Sequence, residues 1–451
     1  MQFETDKNAI EACEMHIVGH KIFVRMKDIP MYLSKKTRDS IRNRYSHSVE
    51  VGLGTEYLLN SVSRRLSRGV DLNFYGIAKI IGLVHDIGHT AFSHDGEMIL
   101  DRMLRDASKA LPQPIRFSAN LNNFRRIEKY ALFGRMPREI QRYALASLIK
   151  RKKELKLYPE YLILKNDLAY GLSLEERYLR SKGIVVDNSS GKTILCQAMD
   201  LADENRYRIT DIIDALNIYS KSKLSEILLR SISSEVTVGE IARYIQMDTS
   251  DAHVTVKQLL ISLLEQESHA KTEFQNTMNS ISMAFNRNFY LDRDGRLVPE
   301  NKALETLREE FQKIAATYIW GSKKIQKIKK PFKHYFETVA DYFIDGDYNP
   351  LFIDSMTYRN ALESLAHQPK GSAQYRHREL LLMRNFLGGL TNPKIIELYK
   401  RIRIEEAEEK CSCKIDKRAK LIEKTPIGEF EKRLQKYIDR VGKSYEEESS
   451  L

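Results

Sequence analysis

Apolar residues recur at three- and four-residue intervals along most of the 451-residue chain, and the strict alternation of a half-buried strand is scarce. That periodicity confines the fold to packed helices, because a 3.6-residue repeat lays an apolar stripe along one helix face. The predicted class is therefore all-α. Residues 39–68 read as one long helix, with Asp39 or Ser40 as its cap and Gly69 just past its end. Residues 74–87 are nearly all apolar and predict a buried helix. The pattern breaks at Gly88-His89-Thr90 and resumes over 93–107. A turn-rich loop, with room for a short strand, spans 183–193, and a further helix runs from Lys192 to about Leu216. Five later segments, at 225–232, 256–267, 303–320, 377–390 and 393–402, also have the helical period. No internal repeat and no long Pro/Gly/Ser linker interrupts the chain, and the polar tail 443–451 is expected to fray.

Composition removes several alternatives. Hydrophobic residues make up 42% of the chain, with only 21 Gly and 11 Pro, so neither disorder nor a collagen-like repeat fits. No run of 18 apolar residues occurs, so no membrane span is expected. The first twenty residues lack a basic region followed by an apolar one, so no secretory leader is expected. Four cysteines (Cys13, Cys196, Cys411 and Cys413) make no disulfide framework, and Cys411-Ser-Cys413 reads as a pair of free surface thiols. These features point to a reducing cytoplasm. The formal net charge of +12 suggests an anionic partner, either nucleic acid or a phosphorylated small molecule.

Chemistry concentrates between positions 47 and 94, which hold four of the eleven histidines: His47, His85, His89 and His94. Imidazole and carboxylate are common metal ligands, and His85 is followed directly by Asp86 inside the apolar run GLVHDIG. An aspartate in such a setting must be paired, hydrogen-bonded or metal-bound.

His47, then His85-Asp86, then a later Asp resembles the pattern of the HD phosphohydrolase superfamily. Within it, HDIGHTAFSHDGE (85–97) resembles the deoxynucleoside triphosphate triphosphohydrolase, or dGTPase-like, branch, whose pattern is close to HDIGHPPFGHxGE. RNRYSHSVEVG (42–52), ILCQAMDLADENRYRITDIIDAL (194–216) and NFLGGLTNPKIIELY (385–399) resemble further motifs of that branch, in the same order. The matches extend over about 360 residues of the chain. The chain departs from the branch at Thr90 and Ala91 (two prolines), Ser93 (a glycine), Ser118 (an acid), Arg151 (a tyrosine) and Asn392 (an aspartate).

The resemblance implies an HD-domain helical bundle with a helical C-terminal portion. The expected divisions are an N-terminal arm over 1–38, a catalytic core over 39–220, a portion completing the substrate site over 221–400, and a charged helical tail over 401–451. It implies one divalent ion, Mg²⁺, Mn²⁺ or another transition metal, held by His47, His85, Asp86 and Asp203. Such an ion polarises a phosphoryl oxygen and lowers the pKa of a bound water. His94 and Glu97, three residues apart, would position water or protonate the leaving oxygen. Arg44, His89, Asn120 and Lys150 would hold substrate, as would Tyr207 and Asp211. The periodicity is compatible: Asp203, Tyr207 and Asp211 are spaced by four and stack along one helix face. Tyr207 as core and solvated acids satisfy the same spacing. Arg44 lies three residues before His47, placed for a phosphate oxygen or for a salt bridge.

The expected reaction is metal-dependent hydrolysis of a deoxynucleoside triphosphate, dGTP foremost, to deoxynucleoside and inorganic triphosphate. Another HD phosphohydrolase (a nucleotidase or phosphodiesterase) is the alternative, as is a nucleotide- or nucleic-acid-sensing protein of the same fold. A homo-oligomer is expected by resemblance. The basic stretches KKIQKIKKPFK (323–333) and RKKELK (151–156) are candidate sites for a DNA or nucleotide effector, with Pro331 expected to interrupt the helix of the first.

Overall fold

The computed structural model describes residues 7–30, 42–66, 70, 76–152, 155, 162–185, 190–245, 252–266, 270–345, 348–365, 367–369 and 371–415. Helices dominate. In the first half they are α1 (Lys7–Gly19), α2 (Lys21–Val24), α3 (Arg44–Arg65), α4 (Ile77–Val84), α5 (Ser93–Ala107), α6 (Ala119–Lys129), α7 (Arg138–Ser147), α8 (Leu164–Ser181) and α9 (Ile194–Ala215). In the second they are α10 (Lys221–Ser231), α11 (Val238–Ile245), α12 (Val256–Glu265), α13 (Ala270–Arg287), α14 (Lys302–Ile314), α15 (Lys323–Ile344), α16 (Met356–Leu365), α17 (Ala373–Leu387) and α18 (Asn392–Ile415). The one sheet among the described residues is an antiparallel hairpin of β1 (Phe289–Leu291) and β2 (Leu297–Pro299). The chain is all-α, as its periodicity predicts.

Three apolar clusters organise these helices. The first joins α1 and α2 to α3, α4, α6–α8 and the start of α9. A second gathers the end of α9 with α10–α14. In the third, α15, α17 and α18 cover Ala91, Phe92 and the buried face of α5. The middle of α9, with Asp203 and Tyr207, falls between the first two clusters, and the segment after α4 touches the first and the third.

Two glycines set the key crossing. A Cβ on Gly82 of α4 would lie 2.5 Å from the Cα of Gly52 on α3, and one on Gly52 would lie 2.9 Å from Lys79 O. Only bare backbone permits this approach. It brings His47, near the start of α3, and His85, just past the end of α4, to a ring separation of 5.4 Å.

Several boundaries differ from expectation. Helix α3 begins at Arg44, not at 39, because the Asn43 side chain caps it by accepting from Ser46 N at 3.0 Å. Asp39, Ser40 and Gly69 lie outside the described residues. Helix α4 ends at Val84, so His85 and Asp86 sit on the turn that follows instead of within the helix. Pro331 does not interrupt its helix: α15 runs through it. No strand occurs in the described part of 183–193, and the tail 443–451, expected to fray, lies outside the described residues, as do the side chains of Cys411 and Cys413 and residues 153, 154 and 156 of the second basic stretch. No described helix is long and apolar enough to cross a membrane.

Candidate metal centre

The turn after α4 is held from three sides. Asn123 of α6 accepts from Gly88 N at 2.5 Å and donates to His85 O, and Asn122 donates to Gly88 O at 2.7 Å. Arg25, just past α2, donates to Ile87 O at 3.2 Å and His89 O at 2.6 Å. Its other terminal nitrogen donates to the carbonyls of Gly389 and Leu390, both at 3.1 Å. Beyond the turn, Phe92 and Ser93 both adopt left-handed backbone, with φ of 58° and 56°. Each such non-glycine residue costs about 1–3 kcal/mol and persists only where its surroundings dictate it. Here the Asn392 side chain accepts from Phe92 N at 2.8 Å. The replacement of an aspartate by Asn392 thus leaves an oxygen where the strained backbone needs an acceptor.

The side chains of this turn meet those of α3 and α9. His47 Nε2 lies 3.0 Å from Asp203 Oδ1, and His85 Nε2 lies 3.5 Å from the same oxygen. Asp86 Oδ1 is 3.4 Å from His85 Nε2, and Asp86 Oδ2 is 3.9 Å from His47 Nε2. His47, His85 and Asp203 each present a donor atom within 4.8 Å of the others. His85 Nδ1 makes a 2.6 Å bond with Gly82 O, while buried His85 Nε2 lacks a hydrogen-bond partner. The Gly82 bond fixes the ring with its free nitrogen toward the carboxylates, the arrangement a metal-ligating histidine needs. The donor set of imidazole nitrogens and carboxylate oxygens fits Mn²⁺ or a similar transition ion and accommodates Mg²⁺ less naturally.

Two cations share the cluster. Buried Arg44 pairs with Asp86 Oδ2 and donates through Nε to Ser93 Oγ at 3.1 Å. Lys150 Nζ lies 3.0 Å from Asp203 Oδ2 and 3.5 Å from Asp200 Oδ1. Burial alone would raise both carboxyls. Arg44 instead holds Asp86, and Lys150 holds Asp203, well below the usual carboxylate range. Both acids are therefore anionic and able to bind a cation.

His89 is buried beside Asp86, its Nδ1 3.3 Å from Oδ1. Its ring packs edge-on against His94 at 5.1 Å. His94 is exposed, with Nδ1 3.4 Å from Glu97 Oε2. Glu97 is fixed at its other oxygen by Ala119 N, at 2.7 Å. Gly96 makes room for this: a Cβ there would lie 2.0 Å from Ala91 O.

On α9 the expected face divides. The Tyr207 ring packs 4.6 Å from His47. Asp211 instead accepts from Trp320 Nε1 at 2.8 Å, at the end of a π-helical stretch (Ala315–Trp320). Asn120 is half-buried at the start of α6, and the bonds to the turn come from its neighbours Asn122 and Asn123. Those two residues and Arg25 escaped the sequence reading. The two asparagines share helix α6 with Asn120, the one residue of that helix the resemblance singles out, whereas Arg25 stands in a segment with no periodic or motif signal.

Burial pushes the carboxyls of Asp211 and Asp214 up to about 7 each. A raised carboxyl contributes stability that is complete below its unfolded value near 4 and is lost as pH rises through 7. Asp214→Asn keeps the shape but cannot ionise. Thermal melts at pH 5.5 and 8 are expected to show a smaller loss of stability on raising pH for the variant than for the wild type. An identical loss in both would contradict the assignment.

The basic cluster on α15 is partly neutralised within the fold. Lys329 and Lys333 each lie 3.0 Å from a carboxylate oxygen of Asp95, and Lys329 also sits 4.8 Å above the Trp320 ring. Lys323, Lys327 and Lys330 are exposed, and the Lys324 side chain is outside the described set.

No protein-family model matches the chain. Similarity to individual curated proteins is clear. A deoxyguanosinetriphosphate triphosphohydrolase-like protein 2 of Vibrio cholerae is 29% identical over 193 residues, 42% of this chain and 41% of the relative. A protein of the same name from Mesorhizobium japonicum is 25% identical over 224 residues, 45% and 44% of the two chains. A deoxyguanosinetriphosphate triphosphohydrolase-like protein of Caldanaerobacter subterraneus is 30% identical over 107 residues, 24% of this chain and 29% of its own. The chain thus spans less than half the length of these relatives. It resembles the deoxyguanosinetriphosphate triphosphohydrolase-like family.

Proposed function

We propose that the chain is a divalent-metal-dependent phosphohydrolase that cleaves deoxynucleoside triphosphates, dGTP foremost, into deoxynucleoside and inorganic triphosphate. The observation that supports this best is the convergence of His47, His85, Asp86 and Asp203, from three separate segments, on one buried point flanked by Arg44 and Lys150. A bound divalent ion would supply Lewis acidity at the phosphoryl oxygen under attack.

The protein's own groups account for the rest. Arg44 presents a guanidinium suited to phosphate oxygens, and Lys150 adds a point charge across the cluster. His89 lies between this centre and His94, placed for the far end of the phosphate chain. The Tyr207 ring walls the site on the His47 side and offers a face to the sugar. Glu97, anchored by the start of α6, orients the His94 imidazole. Exposed His94 can exchange protons with solvent and deliver one to the leaving oxygen. Asp211, bound to Trp320, and Asn120 would border the nucleoside.

If His94 transfers the proton, His94→Ala should lower kcat by about 10²–10⁴-fold, the usual size of a general acid–base contribution. Metal content should stay at the wild-type value, because His94 is outside the four-residue set. Undiminished turnover in this variant would assign His94 to packing only.

The proposal itself is tested by incubating the full chain with the common dNTPs and NTPs in Mg²⁺, Mn²⁺ or Co²⁺ and separating products by chromatography. Consumption of dNTPs, dGTP fastest, with no turnover in EDTA is expected. Turnover confined to monophosphates or cyclic dinucleotides would replace this reading with another hydrolase of the same fold.

A further inference from the structure

Four charged side chains of alternating sign form a row that ends on the metal centre: Lys192, Asp200, Lys150 and Asp203. Lys192, just before α9, donates from Nζ to Asp200 Oδ2 at 2.6 Å. Asp200 Oδ1 lies 3.5 Å from Lys150 Nζ, which donates to Asp203 Oδ2 at 3.0 Å. The other oxygen of Asp203 faces His47 and His85, at 3.0 and 3.5 Å. Side-chain exposure falls along the row, from 36% at Lys192 through 20% and 17% to 13% at Asp203, so the row runs from the rim of the fold inward to a proposed metal ligand.

Local structure places each member. Asp200 and Asp203 are three residues apart on α9 and share a face, where two carboxylates with no cation between them would repel. Lys150 comes from the segment after α7 and reaches both acids. Ser190 holds the turn before α9: its hydroxyl donates to Lys192 O at 3.0 Å and accepts from Lys192 N at 3.2 Å. Asp200 is not among the described residues whose donor atoms converge on the metal centre.

An ammonium group and a divalent ion compete for the same carboxylate. Paired with Asp203 alone, Lys150 would place its whole charge on that acid and weaken it as a ligand. Asp200 takes a share of the ammonium. Lys192 in turn neutralises the far oxygen of Asp200, which keeps Asp200 from drawing Lys150 away altogether.

We propose that Asp200 is a positioning residue of the metal centre: it divides the Lys150 ammonium with Asp203 and so leaves Asp203 Oδ1 free to bind the ion. The role rests on the assignment of Asp203 as a metal ligand and not on the nucleotide hydrolysed.

The test is Mn²⁺ binding to the full chain without nucleotide, followed by loss of the free-ion EPR signal. The proteins compared are the wild type, Asp200→Asn, Asp200→Glu and Asp200→Asn/Lys192→Gln. Partners that orient a metal ligand are worth about 10–100-fold in metal affinity. Asp200→Asn should weaken binding by about that factor, whereas Asp200→Glu, which restores a carboxylate, should keep most of it. The double variant has the net charge of the wild type. It should stay as weak as Asp200→Asn, because the loss comes from where Lys150 sits and not from the field of one missing charge. Wild-type affinity in Asp200→Asn, equal losses in the Asn and Glu variants, or recovery in the double variant would overturn the role of Asp200. No Mn²⁺ binding by the wild type would remove the metal centre itself, and this role with it.

Discussion

Replacing Asp86 by alanine is expected to abolish divalent-ion binding and hydrolysis and also to destabilise the fold by about 3–5 kcal/mol. Asp86 is the carboxylate paired with Arg44, which is only 1% exposed. Removing the acid leaves a buried guanidinium without its counter-charge, a larger penalty than loss of the pair as a whole. Asp86→Ala/Arg44→Met separates the two roles. It should recover most of the lost stability in denaturant melts while still binding no metal and hydrolysing nothing. Metal analysis at wild-type stoichiometry in either variant would remove Asp86 from the ligand set.

Gly88→Ala is the second large effect. A Cβ at this position would lie 2.1 Å from Ala119 O and 2.5 Å from Asn123 N, both backbone atoms of α6 or its first turn. Neither can swing away as a side-chain end could, so the turn or the helix must move. The cost should be about 3 kcal/mol or more, the upper range of overpacking effects. The displacement would also part Gly88 N from Asn123 Oδ1 and His85 O from Asn123 Nδ2. Metal affinity should therefore fall together with the melting temperature. A Gly88→Ala protein with wild-type melting and metal binding would show that α6 does not set the geometry of the His85–Asp86 turn.

The contrast between these residues shows what was legible in the sequence. Helix α9 could be read almost to its ends, because Thr193 caps it and its apolar residues keep the period throughout. The ordered HD spacing identified the cluster because each histidine sits beside a periodic helix. The ends of α3 and α4 were less legible. Asn43 caps as well as Asp or Ser does, and the apolar run through Ile87 conceals a chain that leaves the helix at Val84 so that Asn123 can bind the turn. Pro331 reads as a break in isolation. In the fold, Phe336, Val339 and Phe343 on the same helix are buried in the third cluster, which outweighs the one missing donor. Long-range supports such as Arg25 and Asn392 leave no local trace, because their partners lie 62 to 365 positions away in the chain. Asp211 shows the limit of helical spacing: its position on α9 was right, but Trp320, 109 residues away, decides its partner.

The proposed reaction at the cluster of His47, His85, Asp86 and Asp203 breaks the bond between the 5′-oxygen and the α-phosphorus of a deoxynucleoside triphosphate. Phosphorus NMR of a completed reaction tests it most directly. With dGTP and Mn²⁺, the three substrate resonances should be replaced by those of inorganic triphosphate alone, with deoxyguanosine recovered in equal amount. Pyrophosphate with a nucleoside monophosphate, or orthophosphate with a diphosphate, would place the cleavage elsewhere in the chain of phosphates and contradict the account.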